Sequence, residues 1–418
     1  MLPVMRLRSV SIFFVLVCAF VFGSLYLVSD SLARPAGKVL VYLGFVVYFV
    51  FAVRERKMFP SYVLVFAFFL ALFSWGWAIF SDVEFSDSSP RVERMANWFV
   101  FLVVGWALSE KIKYVPVFLV MVISGVILFP WLGGQGYLYL NSGLQGSRVS
   151  FGLSNAQHAS LVYAFALLGL ISFRDNLIVA GRLYWYSYAA WLLLIVWCLF
   201  AVFASQSKGV WIALLFSLGV FLLVGFRRKS IALGRNSIFM ISLFAIFAYF
   251  FKDVLLRRFS QISDVVFDLV REGRIDAVGS GSTGDRLHMW VGGFQWALEK
   301  PLTGWGGNAR TMFYYYYDEL PSWLVGAYNH LHNSYLDTFV NYGVGGLFVL
   351  VSIYAWFFRR VTSLWKRSKI PGSYYNFFVA FNVLWLLANM TESYMYSSIV
   401  VFVMACFYGQ HTFFKFLS

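Results

Sequence analysis

Long apolar runs alternate with short polar breaks along the whole chain, and twelve of the runs approach the roughly 20 residues that a membrane-spanning helix needs. They fall near 10–29, 36–53, 59–80, 96–109, 114–132, 150–173, 184–204, 209–226, 237–251, 333–358, 374–390 and 398–414. Few charges interrupt them. The pattern predicts an all-α polytopic membrane protein of about twelve transmembrane helices, with 1–418 forming a single membrane domain. The fourth and ninth runs are short, so their ends are the least defined.

One break differs from the rest. Residues 252–332, between the ninth and tenth runs, are long, polar and mixed in charge. Long structured loops usually carry function. Within this one, Leu287, Trp290, Val291, Phe294, Ala297 and Leu298 recur at helical spacing. They predict an amphipathic helix over 285–300 along the membrane surface. Thr283 or Asp285 is placed to cap its start, and Pro301 to stop it.

The placement of charge sets the orientation. Net charge is +14, which in a soluble protein would suggest nucleic-acid binding. Here most Lys and Arg cluster in alternate breaks: Arg6 and Arg8; Arg54, Arg56 and Lys57; Lys111 and Lys113; Arg174 and Arg182; Arg227, Arg228, Lys229 and Arg235; Arg359, Arg360, Lys366, Arg367 and Lys369; and Lys415. The short breaks opposite hold only Arg34, Lys38, Arg91, Arg94, Arg148 and Lys208. Basic residues stay in the cytoplasm. Both termini are therefore expected there, the first run as a signal anchor, and 252–332 as a large periplasmic loop. Nucleic acid is not an expected partner; membrane lipid is.

Composition narrows the class further. Hydrophobic residues make up 61% and charged residues 12%, against about 25% charged in soluble domains. A soluble enzyme and a disordered chain are both excluded. Cys18, Cys198 and Cys406 all lie in apolar runs, so neither a disulfide framework nor a CxxC metal site is expected.

Candidate chemistry gathers on the outer side. His330 and His332 sit where the large loop meets the tenth run, in Tyr328-Asn329-His330-Leu331-His332-Asn333-Ser334. A neutral imidazole there suits a general base near pH 7; an interfacial His without a duty fits equally. Arg148, Lys208, Arg286 and Arg310 are outward cations that suit a diphosphate, or lipid headgroups. His158, beside Asn155 and Gln157, reads as part of a packed polar cluster, and His288 as a structural side chain. Tyr314, Tyr315, Tyr316 and Tyr317 suit the interface or sugar stacking. Asp337 and Glu392 are the only carboxylates in or next to the last three runs. A paired-carboxylate glycosidase site and a carboxylate-rich metal site have no candidate, so neither metal nor cofactor is expected.

Several of these segments together resemble bacterial O-antigen ligases. His332-Asn333, nine residues, Gly343, two residues and Gly346 is similar to that family's His signature. Gly284-Asp285-Arg286-Leu287-His288-Met289-Trp290 followed by Lys300-Pro301-Leu302-Thr303-Gly304-Trp305-Gly306 resembles its Arg-containing loop helix and Pro-x-x-Gly-x-Gly ending. Ser205-Gln206-Ser207-Lys208-Gly209 resembles a turn that usually carries Arg where this chain has Lys208. Arg148, Gly152 and Asn155 are similar to the polar lead-in of the preceding span. The resemblance covers about 148–350 by motif and the whole chain by topology.

The resemblance implies a membrane-embedded, C-type (GT-C-like) glycosyltransferase of the bacterial inner membrane, acting in lipopolysaccharide biosynthesis. Such an enzyme transfers polysaccharide from undecaprenyl diphosphate to a sugar hydroxyl of lipid A–core oligosaccharide, with inversion, without metal, on the periplasmic face. It implies His332 as general base and Arg286 as a diphosphate-binding residue, with Lys208 and Arg148 beside it. Asn333, His330, Gly343 and Gly346 would support them. An O-antigen polymerase and a protein O-oligosaccharyltransferase share the chemistry, the latter often with a longer C-terminus. A lipid-linked glycan flippase is the alternative of a different class, with midplane polar sites expected instead.

Overall fold

A computed structural model describes residues 2–25, 30–52, 61–81, 89–109, 115–227 and 235–409. The basic clusters at 54–57, at 111–113 and at 228–229, Lys415, and the acidic group Asp82, Glu84 and Asp87 lie outside the described residues. The helices are α1 (Leu2–Leu25), α2 (Asp30–Ala52), α3 (Ser61–Ser81), α4 (Val92–Ser109), α5 (Val115–Leu132), α6 (Gly136–Leu144), α7 (Ala156–Ser172), α8 (Arg174–Leu177) and α9 (Tyr184–Ala204). They continue as α10 (Lys208–Arg227), α11 (Arg235–Phe250), α12 (Lys252–Glu272), α13 (Gly284–Glu299), α14 (Ala309–Tyr316), α15 (Ser334–Lys366), α16 (Gly372–Ala388) and α17 (Ile399–Val403). A π turn, Met404–Tyr408, extends α17. No strand occurs among the described residues.

The described part of each apolar run lies largely on one helix. By length and composition, five stretches of the described residues could cross a membrane: Arg8–Leu25, Tyr62–Phe80, Gly181–Ala204, Lys208–Gly225 and Ser334–Lys366. A sixth forms if α5 and α6, bent by 85° at their junction, count together. Pro35–Phe51, Ala156–Ser172 and Ile399–Tyr408 are apolar but shorter. The regular structure among the described residues is entirely helical, consistent with a polytopic membrane protein.

Local chemistry explains where several helices begin and bend. The run expected from residue 150 becomes helical only at Ala156, because Asn155 is extended and its side chain accepts from the Gln157 N–H as an N-cap. The preceding Phe151 and Gly152 have positive φ. Asn333 caps α15 in the same way, accepting from the Tyr335 and Leu336 N–H groups. The helix expected over 285–300 is observed as α13. Thr283 occupies its N-cap position without capping, since its hydroxyl accepts from the Lys208 ammonium instead. Two further helices, α12 and α14, flank α13 in the 252–332 segment.

That segment has a core of its own. Met289, Trp296, Phe313, Tyr314, Leu331 and Leu336 are among its buried residues, so α13 packs its apolar face against the loop and the start of α15. Gly343 makes this possible. It interrupts α15 at φ 60°, ψ −157°, a region open essentially to glycine alone. The interruption frees backbone groups for the loop: Trp305 N–H donates to Val340 O, Gly306 N–H to Asn341 O and Val344 N–H to Pro301 O, at 2.9, 3.1 and 2.8 Å. A Cβ on Gly343 would meet Pro301 O and Leu302 C at 2.5 Å. One on Gly346 would meet Thr338 Cγ2 at 2.7 Å. Gly343 thus docks the Pro-x-x-Gly-x-Gly segment on α15, and Gly346 lets Thr338 and Tyr342 of the same helix pack across the interruption. Gly343→Ala is expected to destabilise the protein by about 2–4 kcal/mol from backbone strain and overlap together. A clear drop in melting temperature in detergent checks it.

Candidate active site

The histidine segment is held from three directions. Asp337, fully buried one turn into α15, accepts from the Leu331 N–H at 3.0 Å and from the Arg310 guanidinium at 3.4 Å. Tyr314, 1% exposed, donates to His330 O at 2.6 Å. Asn389 O accepts from the Ser334 N–H at 2.9 Å. Held this way, His332 takes a left-handed φ of 50°, a conformation that costs a non-glycine residue on the order of 1 kcal/mol and clusters at functional sites.

Glu392 completes the group. It is 2% exposed. Its carboxylate lies 3.1 Å from His332 Nδ1 and 3.0 Å from His330 Nε2, and it accepts from the Ser393 N–H at 2.9 Å. Burial alone would raise the Glu392 carboxyl; the hydrogen bonds to His330 and His332, and their charge, carry it well below the usual carboxylate range. His332 goes the other way. Burial lowers its imidazole below the ordinary value, against the raising effect of the Glu392 hydrogen bond. The imidazole is therefore neutral at pH 7, with Nδ1–H donated to Glu392 and Nε2 carrying the lone pair. The Tyr328 ring packs edge-on against His332 at 5.2 Å, and the Tyr328 hydroxyl donates to Asp285 at 3.1 Å.

Beside this group lie four cations. Lys208 Nζ donates to Thr283 Oγ1 at 2.9 Å and reaches Gln261 Oε1 at 3.4 Å. Arg286 reaches Gln157 Oε1 at 3.4 Å and Ser282 Oγ at 3.5 Å, and its buried Nε has no hydrogen-bond partner among the described residues. Arg148 Nε donates to Ser205 O at 3.2 Å. Arg258, from α12, donates to Gln206 Oε1 at 3.1 Å. They are close enough to act on one another: burial first, and then the Arg258 and Arg286 charges, lower Arg148. Among the described residues none of the four forms an ion pair. The N-terminal ends of α7, α10 and α13 meet here, through Gln157, Lys208 and Thr283. Each contributes partial positive charge.

The site residues expected from sequence thus fall into groups. His332 and His330 share Glu392; Arg286, Lys208 and Arg148 share the cation cluster; Asn333, Gly343 and Gly346 shape α15. Arg310 stands apart: Asp337 engages it, and it lies over the Tyr396 ring at 4.6 Å. Tyr314 is neither interfacial nor free for sugars, being buried under the histidine segment, whereas Tyr315 and Tyr316 are exposed. His288 is buried, with Nε2 at 2.8 Å from Val278 O. Arg258 and Glu392 are the residues that sequence reasoning missed as partners. The only signal for Glu392 was its being one of two carboxylates near the last three runs. Nor does any spacing in the sequence suggest a metal site, yet the fold brings ligand atoms of His330, His332 and Glu392 within 4.8 Å of one another.

Residues 192–351 match a family model described as O-antigen ligase. The matched stretch is less than half of the chain. The match supports a likeness to the O-antigen ligase/polymerase family. No curated protein sequence matches the chain. The matched segment contains Lys208, Arg258, Arg286, His330 and His332, whereas Arg148 and Glu392 reach the same place from outside it. Gly209, within that segment, explains how the two parts close up: a Cβ there would overlap Thr391 Oγ1, next to Glu392.

Proposed function

We propose that the protein is an O-antigen ligase. It transfers polysaccharide from undecaprenyl diphosphate to a sugar hydroxyl of lipid A–core, with inversion and without a metal. The observation that carries the reading is the cluster of cations without ion-pair partners beside a buried, neutral, carboxylate-oriented imidazole. Among the described residues no carboxylate forms an ion pair with these cations, and a diphosphate would supply the partner. Arg286, Lys208, Arg148 and Arg258 hold the diphosphate. His332 Nε2 takes the proton of the acceptor hydroxyl as its oxygen attacks the anomeric carbon. The bond from that carbon to the phosphate oxygen breaks, and undecaprenyl diphosphate departs with its new charge stabilised by the same cations. Glu392 stabilises the imidazolium that forms.

A cavity of about 690 Å³, lined by Leu140, Trp197, Phe200, Phe247, Phe251 and Arg257 among others, lies next to the cluster. Gly146 also lines it and accepts from the Gln206 side chain that Arg258 holds. An apolar cavity adjoining the turn that carries Lys208 suits a polyprenyl tail entering beside its diphosphate. Helix α12 exposes Leu256, Phe259, Val266, Phe267 and Val270, a face suited to the membrane interface. In this reading all twelve apolar runs span the inner membrane, both termini are cytoplasmic, and 252–332 is a periplasmic cover inserted in one membrane domain.

The test is a transfer assay with purified protein in detergent and EDTA, supplied with lipid-linked glycan and lipid A–core. Product on lipid A–core supports the ligase. Glycan joined only to lipid-linked glycan would replace that reading with a polymerase, and no product with matched donor and acceptor would reject both. Arg286→Ala is expected to lower kcat by roughly 10²–10³-fold, the loss typical of one charge-stabilising donor, and to raise the donor KM. Arg286→Lys, which keeps the charge but loses the bidentate fork, should recover only part of it.

A further inference from the structure

We propose that His330, His332 and Glu392 also form a zinc(II) site, and that zinc there silences the transferase; the silencing rests on His332 being the base. The three side chains supply one ligand atom each: His330 Nε2, His332 Nδ1 and a Glu392 oxygen. Two His and one carboxylate, with a water in the fourth position, is an established open zinc set. The spacing is already close to what the ion needs. His330 Nε2 and His332 Nδ1 lie 3.0 and 3.1 Å from the carboxylate. Two bonds of about 2.0–2.1 Å at a tetrahedral angle set their ligand atoms roughly 3.3 Å apart. The outer partner that zinc-bound imidazoles use is present as well: His330 Nδ1 faces Asn329 Oδ1 at 2.6 Å, so zinc on Nε2 displaces the proton that this nitrogen donates to Glu392 and leaves Nδ1–H to Asn329.

The chemical consequence follows from which nitrogen of His332 is used. In the metal-free protein Nδ1 carries the proton and Nε2 the lone pair. Zinc on Nδ1 displaces that proton to Nε2, with no net gain or loss. A ring with Nε2–H has no lone pair for the acceptor hydroxyl. Zinc also takes the negative charge that would stabilise the imidazolium. Arg148 and Arg286, which act electrostatically on Glu392 and His332, oppose a further cation. They set the affinity below that of a closed structural site and make occupancy reversible.

The experiment uses the full-length protein in detergent, stripped with EDTA and exchanged into chelator-free buffer. It is titrated with cobalt(II), then zinc(II), with visible absorption and calorimetry recorded beside the transfer rate. One cobalt per chain with an intense visible band, displaced by zinc, is expected for wild type. His330→Gln and Glu392→Gln should each weaken binding by more than about tenfold, since loss of even an outer partner costs about 10–100-fold. Thermal melting without metal shows that these variants are folded. Zinc should stop transfer by wild type and EDTA should restore it. Absence of a saturable band, or equal binding by both variants, overturns the site. Binding at the cluster with an unchanged transfer rate keeps the metal site and overturns instead the reading of His332 as the base.

Discussion

His332→Asn is expected to lower the transfer rate by about 10²–10⁴-fold, the range for loss of a general base, with little change in the donor KM or the melting temperature. Asn isolates the chemistry from the backbone. His332 sits at φ 50°, where Asn is among the residues best tolerated, so the substitution leaves the loop's conformation unstrained relative to wild type. The Asp337–Leu331 and Ser334–Asn389 hydrogen bonds that hold the segment do not involve the imidazole. In the proposed reaction the acceptor hydroxyl, with its ordinary high pKa, loses the base that takes its proton, while the cations proposed to bind the diphosphate are untouched. Rates of the purified variant at saturating donor decide the matter. A rate within threefold of wild type would remove His332 from the chemistry and leave the site as a diphosphate-binding surface only.

Sequence and structure agree where the signal is local and part where it is not. Apolar runs report helices because a segment in lipid must satisfy its backbone N–H and C=O groups within itself, and the described parts of the runs, residues 150–155 excepted, fall largely on helices. Asn333 is legible as a cap for the same reason: its bonds go to Tyr335 and Leu336. Gly343 is legible as a glycine but not as a docking point, since its partners are Pro301 and Leu302 in another segment. Glu392 meets His332 across 60 positions, by the return of the chain after α16, and no periodicity encodes that. Arg258 and Arg310 show how far composition falls short. Each is one basic residue of the same loop, yet Arg258 joins the cation cluster and Arg310 is engaged by Asp337. Which cation lacks an ion-pair partner is a property of the folded site.

The cation cluster also places the departure of Lys208 from the usual Arg in context. A Lys cannot form the planar two-point contact of Arg. Here Thr283 and Gln261 hold its ammonium, and Arg258 stands on the neighbouring Gln206. Gln206, like His332, is a non-glycine residue at positive φ, 50°. The turn therefore presents a point charge from Lys208 and a guanidinium from Arg258 side by side. In the proposed reaction the guanidinium contact with the diphosphate comes from Arg258 of α12 rather than from the turn itself.

Glu392→Gln is expected to reduce the rate by about 10²–10⁴-fold even though Glu392 touches neither donor nor acceptor in the proposed reaction. The effect passes through His332. The carboxylate accepts only, so it fixes the proton on Nδ1 and the lone pair on Nε2. A Gln side chain can offer its N–H₂ to Nδ1 instead, which turns the ring to the other tautomer with Nε2 protonated, and exchanging a carboxylate for an amide beside a catalytic His costs up to about 10⁴-fold in a comparable case. The pH profile separates this from simple misfolding. With EDTA present, wild-type activity should fall as pH drops through the His332 pKa, which burial holds below the ordinary 6.5. The Glu392 hydrogen bond and charge raise that pKa; removing them lowers it, so the acid limb of the residual Glu392→Gln activity should move to lower pH. Glu392→Asp keeps the charge on a side chain one methylene shorter and should recover part of the rate, with an acid limb between the two. An unshifted limb in Glu392→Gln would mean that the carboxylate does not act on the titrating group, and would reduce its role to holding the 389–395 segment against α15.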